Sequence, residues 1–365
     1  NWTLEVRNKN GQLLGKNEGF LETLDVLLPK QSYSELHISI VPKEAWEEEP
    51  KIIGLEALES VLVAVIDSGI SPHEDFCGNV LYSLGKDYTK SQTTPFDEFG
   101  HGTHVAGIIA ACSNNEIGIA GVIGNAPIDL ISLKVLDQYG NGGDFELSKA
   151  VSDAVKMNVD ILNLSLAGRG ESEVLRKEIQ TALLRDIFVV SAAGNWNTST
   201  EKIYPASYPG VMTVAASTEA GKRLPISNYG LEVDISAPGE AIYSLHLQNG
   251  YKRLSGTSMS TAYVTATAAL LKMLNPTLDN VQLRNILQAN AKRIGIVDFD
   301  KYTGAGIVQT SNSLGDTKIN GVEWLTLKDG QTVNPDSSET LTFSRQLLDH
   351  HAYVFLDEVL VSNFP

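Results

Sequence analysis

The chain has 365 residues and a formal charge of −16 at pH 7, with 42% hydrophobic and 20% charged residues. That length suffices for a large α/β core with a small accessory module, and that charge excludes nucleic acid and anionic lipid as partners, since both would be repelled. No apolar run reaches the roughly 18 residues of a membrane span, the N-terminus shows neither Met nor a signal-like segment, and two cysteines, Cys77 and Cys112, are too few for a disulfide framework or a zinc cluster.

In chain order, short alternating segments at 3–6 and 36–41, with Asn10-Gly11 as a hairpin turn, predict a small β-rich module over residues 1–43. Residues 44–57, which contain Trp46-Glu47-Glu48-Glu49-Pro50, read as an acidic linker. The apolar run 61–66 then ends at Asp67. This is the pattern of a parallel strand buried on both faces that delivers a residue at its carboxyl end. His101 leads into a helix-like stretch at 105–111. Strands predicted at 128–135, 159–164, 187–192 and 211–216 alternate with helices at 146–156 and 173–184, and Ser258 opens a long apolar helix. Repetition of β then α implies an α/β fold over 58–315, with a mostly parallel sheet covered on both faces and ligand chemistry at the strand ends. Further strands predicted at 322–327, 340–343 and 352–360 make residues 316–365 a β-rich C-terminal segment.

Four polar residues stand in distinctive settings: Asp67 after the first strand, His101 between Gly100 and Gly102, Asn195 after Ala192-Ala193-Gly194, and Ser258 after Gly256-Thr257. A serine hydroxyl becomes a nucleophile when an imidazole takes its proton, and the imidazole needs a carboxylate to fix its tautomer. Singly, these residues read as an N-cap, a turn residue or a structural histidine. Together they compose a hydrolytic site. Ser258 at a helix N-terminus places N–H groups where an oxyanion would develop.

The order Asp67, His101, Ser258 is that of subtilisin. With Gly100-His101-Gly102-Thr103-His104, Gly256-Thr257-Ser258-Met259 and further landmarks at Tyr204-Pro205, Ser227-Asn228 and Ser236-Ala237-Pro238, the chain resembles the subtilases, the subtilisin-like serine proteases, over residues 58–314. The resemblance implies a subtilisin-like three-layer fold flanked by the β-rich segments, and a serine endopeptidase acting on protein or peptide substrates through an acyl-enzyme. Asn195 would be an oxyanion donor. It further implies that Ser165, Leu166, Ala167 and Gly168 form a wall of the P1 pocket, with Ile203 at its floor and Trp196 beside Asn195. Ala167, Ile203 and Trp196 are bulkier than is usual for the family and predict a preference for small P1 residues. A structural Ca2+ site is implied at Asp75, Asn115 and the carbonyls of Ile117 and Ile119. The Tyr204-Pro205 bond would be cis, and Cys77 and Cys112 would be neighbours, which leaves a disulfide open. Ser260 and Ala262 depart from the alanine and proline that usually follow the nucleophile's methionine. Residues 1–57 read either as a propeptide or inhibitor segment or as an accessory binding module. Family habit implies secretion or a place in the cell envelope, with the cytoplasm as the alternative. The competing functions are a partner-regulated or autoinhibited protease component and a non-catalytic scaffold.

Overall fold

The computed structural model describes main chain and side chains over residues 61–89, 94–294 and 300–314, and main-chain strands within the flanking segments 2–59 and 323–356. The N-terminal strands are β1 (Trp2–Asn8), β2 (Leu13–Gly19), β3 (Thr23–Leu27), β4 (Ser32–Tyr33), β5 (Leu36–Pro42) and β6 (Ile52–Glu59). β1 pairs antiparallel with β2, while the Asn10-Gly11 turn predicted between them and the acidic stretch 44–50 lie outside the described residues.

Residues 61–318 form one compact unit. Its first elements are β7 (Val61–Asp67), β8 (Lys86–Asp87), α1 (His101–Ala110), β9 (Ile128–Lys134), α2 (Asp144–Lys156) and β10 (Ile161–Leu164). There follow β11 (Gly168–Arg169), α3 (Glu173–Leu184), β12 (Phe188–Ala192), β13 (Ile203–Tyr204), β14 (Met212–Ser217) and β15 (Ile235–Pro238). A hairpin of β16 (Ile242–His246) and β17 (Gly250–Leu254) leads to α4 (Thr257–Leu274), α5 (Asn280–Ala289) and α6 (Thr310–Leu314). Seven strands make one sheet in the order β15-β14-β12-β10-β7-β9-β8, and every neighbouring pair in it is parallel.

The sequence of β7 explains the three layers. Val61, Val63 and Val65 face a core shared with Val105, Ile109 and the apolar side of α4. Leu62, Ala64 and Ile66 face a second core with Leu147 and Val151 of α2 and Leu175 and Ile179 of α3. A strand with period-two alternation between two apolar cores contains only apolar residues, and each such side chain contributes about 1.5–3 kcal/mol on burial, before chain entropy. Local signals set the helix starts: Ser172 accepts from Leu175 N–H at α3, and Asp279 with Gln282 forms a capping box at α5. From β7 the chain crosses to β9 on one side and returns to β10 on the other. Successive connections therefore diverge at the carboxyl end of β7, which opens a crevice there.

The C-terminal strands β18 (Glu323–Leu325), β19 (Glu339–Phe343), β20 (Leu347–Leu348) and β21 (His350–Leu356) belong to a separate unit with residues 1–60. β19 joins an antiparallel sheet of order β19-β5-β1-β2, β18 and β21 join one of order β18-β6-β21-β3, and β20 pairs with β4. The two flanks are thus one module, and the expected linker over 44–57 is corrected in its second half. Residues 52–59 are the inner strand β6, held between β18 and β21.

Candidate active site

Asp67 is the last residue of β7 and is fully buried. Its Oδ1 accepts from Ser68 N–H at 2.7 Å and stands 2.7 Å from His101 Nδ1. With the Nδ1 proton directed at the carboxylate, Nε2 of His101 is the free base. His101 is the first residue of α1, and a glycine must follow it. A Cβ at position 102 would overlap the Gly69 carbonyl oxygen, so only glycine lets the helix start abut the end of β7.

Asp97, which the sequence reading passed over, organises this corner. Its Oδ1 accepts from Ser68 Oγ at 2.8 Å, Phe99 N–H at 3.0 Å and Gly100 N–H at 2.8 Å. Its Oδ2 accepts from Thr103 N–H at 2.9 Å and Thr103 Oγ at 2.8 Å. Ser68 Oγ in turn accepts from Gly102 N–H at 2.9 Å. Burial lowers the pKa of His101, but the charge and hydrogen bond of Asp67, with the charge of Asp97, outweigh it and raise the pKa above 6.5. Protonated His101 cannot accept a proton, so kcat/KM should fall on acidification with a midpoint above pH 6.5. A rate profile between pH 5 and 9 with one or more midpoints tests this, and a flat profile would contradict it.

Ser258 lies in the first turn of α4. Its hydroxyl donates to the Ser165 carbonyl at 3.0 Å, and Ser165 Oγ donates to the Ser258 carbonyl at 3.0 Å. Asn163 Nδ2 donates to Ser165 Oγ at 2.9 Å, and Thr265 Oγ donates to Asn163 Oδ1 at 2.8 Å. A buried polar chain thus runs from the middle of α4 to the serine. Asn195 Oδ1 accepts from Thr257 N–H at 2.9 Å and Thr257 Oγ at 3.1 Å. This fixes the amide so that its Nδ2 lies beside Gly256, where an added Cβ would approach it to 3.0 Å.

A cavity of about 390 Å³ runs past His101 and Ser165, with Leu136, Leu147, Leu166 and Tyr204 among its walls. Ala167 and Gly168 line it too, and β11 pairs antiparallel with β13, setting Gly168 opposite Tyr204 and Arg169 opposite Ile203. Ile203 is buried, whereas Trp196 is 47% exposed. The Tyr204-Pro205 bond is cis. Ser260 Oγ donates to the Ala237 carbonyl at 2.9 Å, and Ala262 is buried.

Asp75 is fully buried. Its Oδ1 accepts from Asn115 Nδ2 at 2.7 Å, and its Oδ2 accepts from Ile119 N–H at 2.9 Å and Tyr251 Oη at 3.3 Å. Ile117 N–H donates to Asn115 Oδ1 at 3.4 Å. The loop residues named from the sequence therefore gather at Asp75, although Ile119 turns its N–H toward the carboxylate. Among the described residues there is no group of three or more His, Cys, Asp and Glu side chains able to hold a metal. Cys77 and Cys112 are disulfide-bonded, which closes a chain segment spanning α1 and, on loop length, stabilises the fold by about 4 kcal/mol.

Two further polar residues escaped the sequence reading. Lys134 is fully buried in β9, in register with Asp67, and its Nζ donates to the Ser68 carbonyl at 2.8 Å while pairing with Glu98 at 3.6 Å. Its signal was a lysine at the end of an apolar run. Burial holds the pKa of His104 down to about 4. This neutral ring faces the Ile242 and Lys252 carbonyls through Nε2, at 3.1 and 2.9 Å, and ties α1 to the β16–β17 hairpin.

A carboxylate-oriented imidazole, a helix-terminal serine and an anchored amide donor are the parts of acyl transfer. The chain is similar to known proteins. The chain is 36% identical over 290 residues to Minor extracellular protease Epr of Bacillus subtilis (strain 168), covering 80% of this chain and 43% of that one. It is 38% identical to Subtilisin BL of Lederbergia lenta, covering 68% of this chain and 88% of the relative. The crystal structure of a cold adapted subtilisin-like serine proteinase superimposes with a TM-score of 0.62 at 32% identity, over 69% of this chain and 89% of that one. The chain thus spans less than half of the first relative's length and most of the second's. The profile of the subtilase family matches residues 59–320, most of the sequence. The chain belongs to the subtilase family.

Proposed function

We propose that the chain is a serine endopeptidase acting on protein or peptide substrates. What supports this is the 2.7 Å contact of Asp67 with His101, together with Ser258 bonded to Ser165, which lines the same cavity as His101, and the Asn195 amide held by Thr257, the residue before Ser258. His101 Nε2 takes the Ser258 proton as Oγ bonds to the scissile carbonyl carbon. The Asn195 amide and the Ser258 N–H hold the oxyanion. His101 then gives the proton to the leaving amine as the C–N bond breaks, and water repeats the sequence on the acyl-enzyme. The Ser165 carbonyl holds the hydroxyl at rest, and the proton turns to His101 when substrate arrives.

Ser165, Leu166, Ala167 and Gly168 line the P1 side chain, and the volumes of Ala167, Ile203 and Trp196 restrict it to small residues. Burial of Ile203 within β13, opposite Arg169 of β11, supports this reading. In a peptide series differing only at P1, Ala should exceed Phe and Leu in kcat/KM by about tenfold. The reverse order overturns it.

Structural calcium is common among subtilases. A fully buried Asp75 carboxylate whose described partners are all neutral fits a hard cation. Asn115 Oδ1, with its amide turned over, and the carbonyls of Ile117 and Ile119 would hold the ion. A chelator should then lower the melting temperature by several degrees and added calcium restore it. An unchanged melting curve assigns the cluster to hydrogen bonds alone.

Pairing of β5 with β19 and of β6 with β21 supports an accessory module over a removable propeptide, because cleavage after residue 60 would strip strands from both sheets. The intact mass of the active enzyme reports this directly. The disulfide favours an oxidising, extracellular setting over the cytoplasm, and the extracellular relative from Bacillus subtilis points the same way. Among the described residues no helix is long and apolar enough to cross a membrane.

A further inference from the structure

Two wall segments of the proposed P1 slot leave the sheet separately, one after β10 and one after β12, and a stacked pair joins them. On the second wall the Trp196 ring lies over Gly194, where an added methyl would meet its Cζ3 at 2.9 Å. On the first, Arg169 follows Gly168, and its guanidinium carbon sits 5.5 Å from the centroid of the Trp196 ring. In front of Gly168 itself the space is open. A guanidinium stacked on an indole keeps its N–H edge available to an acceptor. Among the described residues Arg169 has no ion pair, and the nearby Glu171 pairs with Arg176 at 3.4 Å. Lys202 joins Arg169, Thr198 and Ser199 in lining an adjacent cavity of about 560 Å³. In a chain of net charge −16, the two cations at this lip outnumber its one carboxylate, Glu171, which is itself engaged by Arg176.

We propose that Arg169 is a specificity-determining residue that takes the carboxylate of an acidic side chain at P1, the residue whose carbonyl Ser258 attacks. This rests on the proposed assignment of 165–168 and Trp196 to the P1 pocket. Trp196 fixes the cation in place, and the planar fork of the guanidinium matches a carboxylate in two N–H···O bonds. The small-residue preference is a matter of volume and this one a matter of charge, so Glu and Gln, which share a shape, isolate it.

The test compares kcat/KM for peptides with Glu or Gln at P1, at low and high salt, in wild type, Arg169→Gln and Arg169→Lys. Arg169 is exposed, and melting curves confirm that the variants fold. The expected result is a Glu-to-Gln ratio of about ten or more in wild type, reduced by salt, falling to near one in Arg169→Gln and keeping part of its value in Arg169→Lys. A wild-type ratio of one or less, or a ratio that survives in Arg169→Gln, overturns the proposal. The Ala-to-Phe ratio in the same series reads the volume assignment separately. If that ratio fails while the Glu-to-Gln ratio follows Arg169, the charge assignment stands without the size restriction.

Discussion

Replacing Asp67 by asparagine should lower kcat by about 10⁴ and leave KM nearly unchanged. The magnitude is the one known for this substitution in another serine protease. The direction follows from the geometry. One carboxylate oxygen of Asp67 receives both Ser68 N–H and His101 Nδ1 at 2.7 Å. An asparagine that turns its NH2 group toward His101 makes the imidazole move its proton to Nε2, where it can no longer accept one from Ser258, and one that keeps its carbonyl there still lacks the charge that stabilises the imidazolium. The variant also loses the charge that holds His101 above its ordinary pKa, leaving burial, the largest influence and a lowering one, less opposed. The acid limb of the remaining activity should therefore move to lower pH. Steady-state rates and a pH profile of the purified variant check both statements, and a loss below tenfold would remove Asp67 from its assigned role.

Replacing Asn195 by leucine should lower kcat by about 10²–10³ with little change in KM, the magnitude known for the equivalent asparagine of subtilisin. Two bonds from Thr257 hold Asn195 Oδ1, and Thr257 Oγ accepts from Gly194 N–H at 3.1 Å. On the proposed assignment the held amide meets the developing oxyanion without reorganising, so its stabilisation should be felt in the transition state more than in substrate binding. Asn195→Asp keeps the shape but turns a donor into an acceptor, and should be at least as damaging. A proportional rise in KM with kcat preserved would show a binding role instead.

What could be read from the sequence divides along physical lines. The run of β7 was legible because burial on both faces forces every residue to be apolar. Asp67, His101, Asn195 and Ser258 stand out as candidates because close packing imposes glycines and small residues around them. Asp97 was not, because an aspartate in a polar loop looks like a turn residue until its five hydrogen bonds close in space. The contact of Arg169 with Trp196 joins segments from different strands, so no local pattern announces it. The stretch Ile52-Ile53-Gly54-Leu55-Glu56 sits beside an acidic run and carries a glycine, which masks a strand whose partners lie some 270–300 residues away. Pairings of that span leave no periodicity to find.

The most direct test of the account is stoichiometric labelling with phenylmethylsulfonyl fluoride, read by intact mass on the wild type and on Ser258→Ala. Attack by an activated serine expels fluoride and leaves one sulfonyl group on the chain. The account predicts one equivalent on the wild type, located at Ser258, and none on the folded variant. A folded wild type that stays unlabelled, or a variant that labels equally, would contradict it.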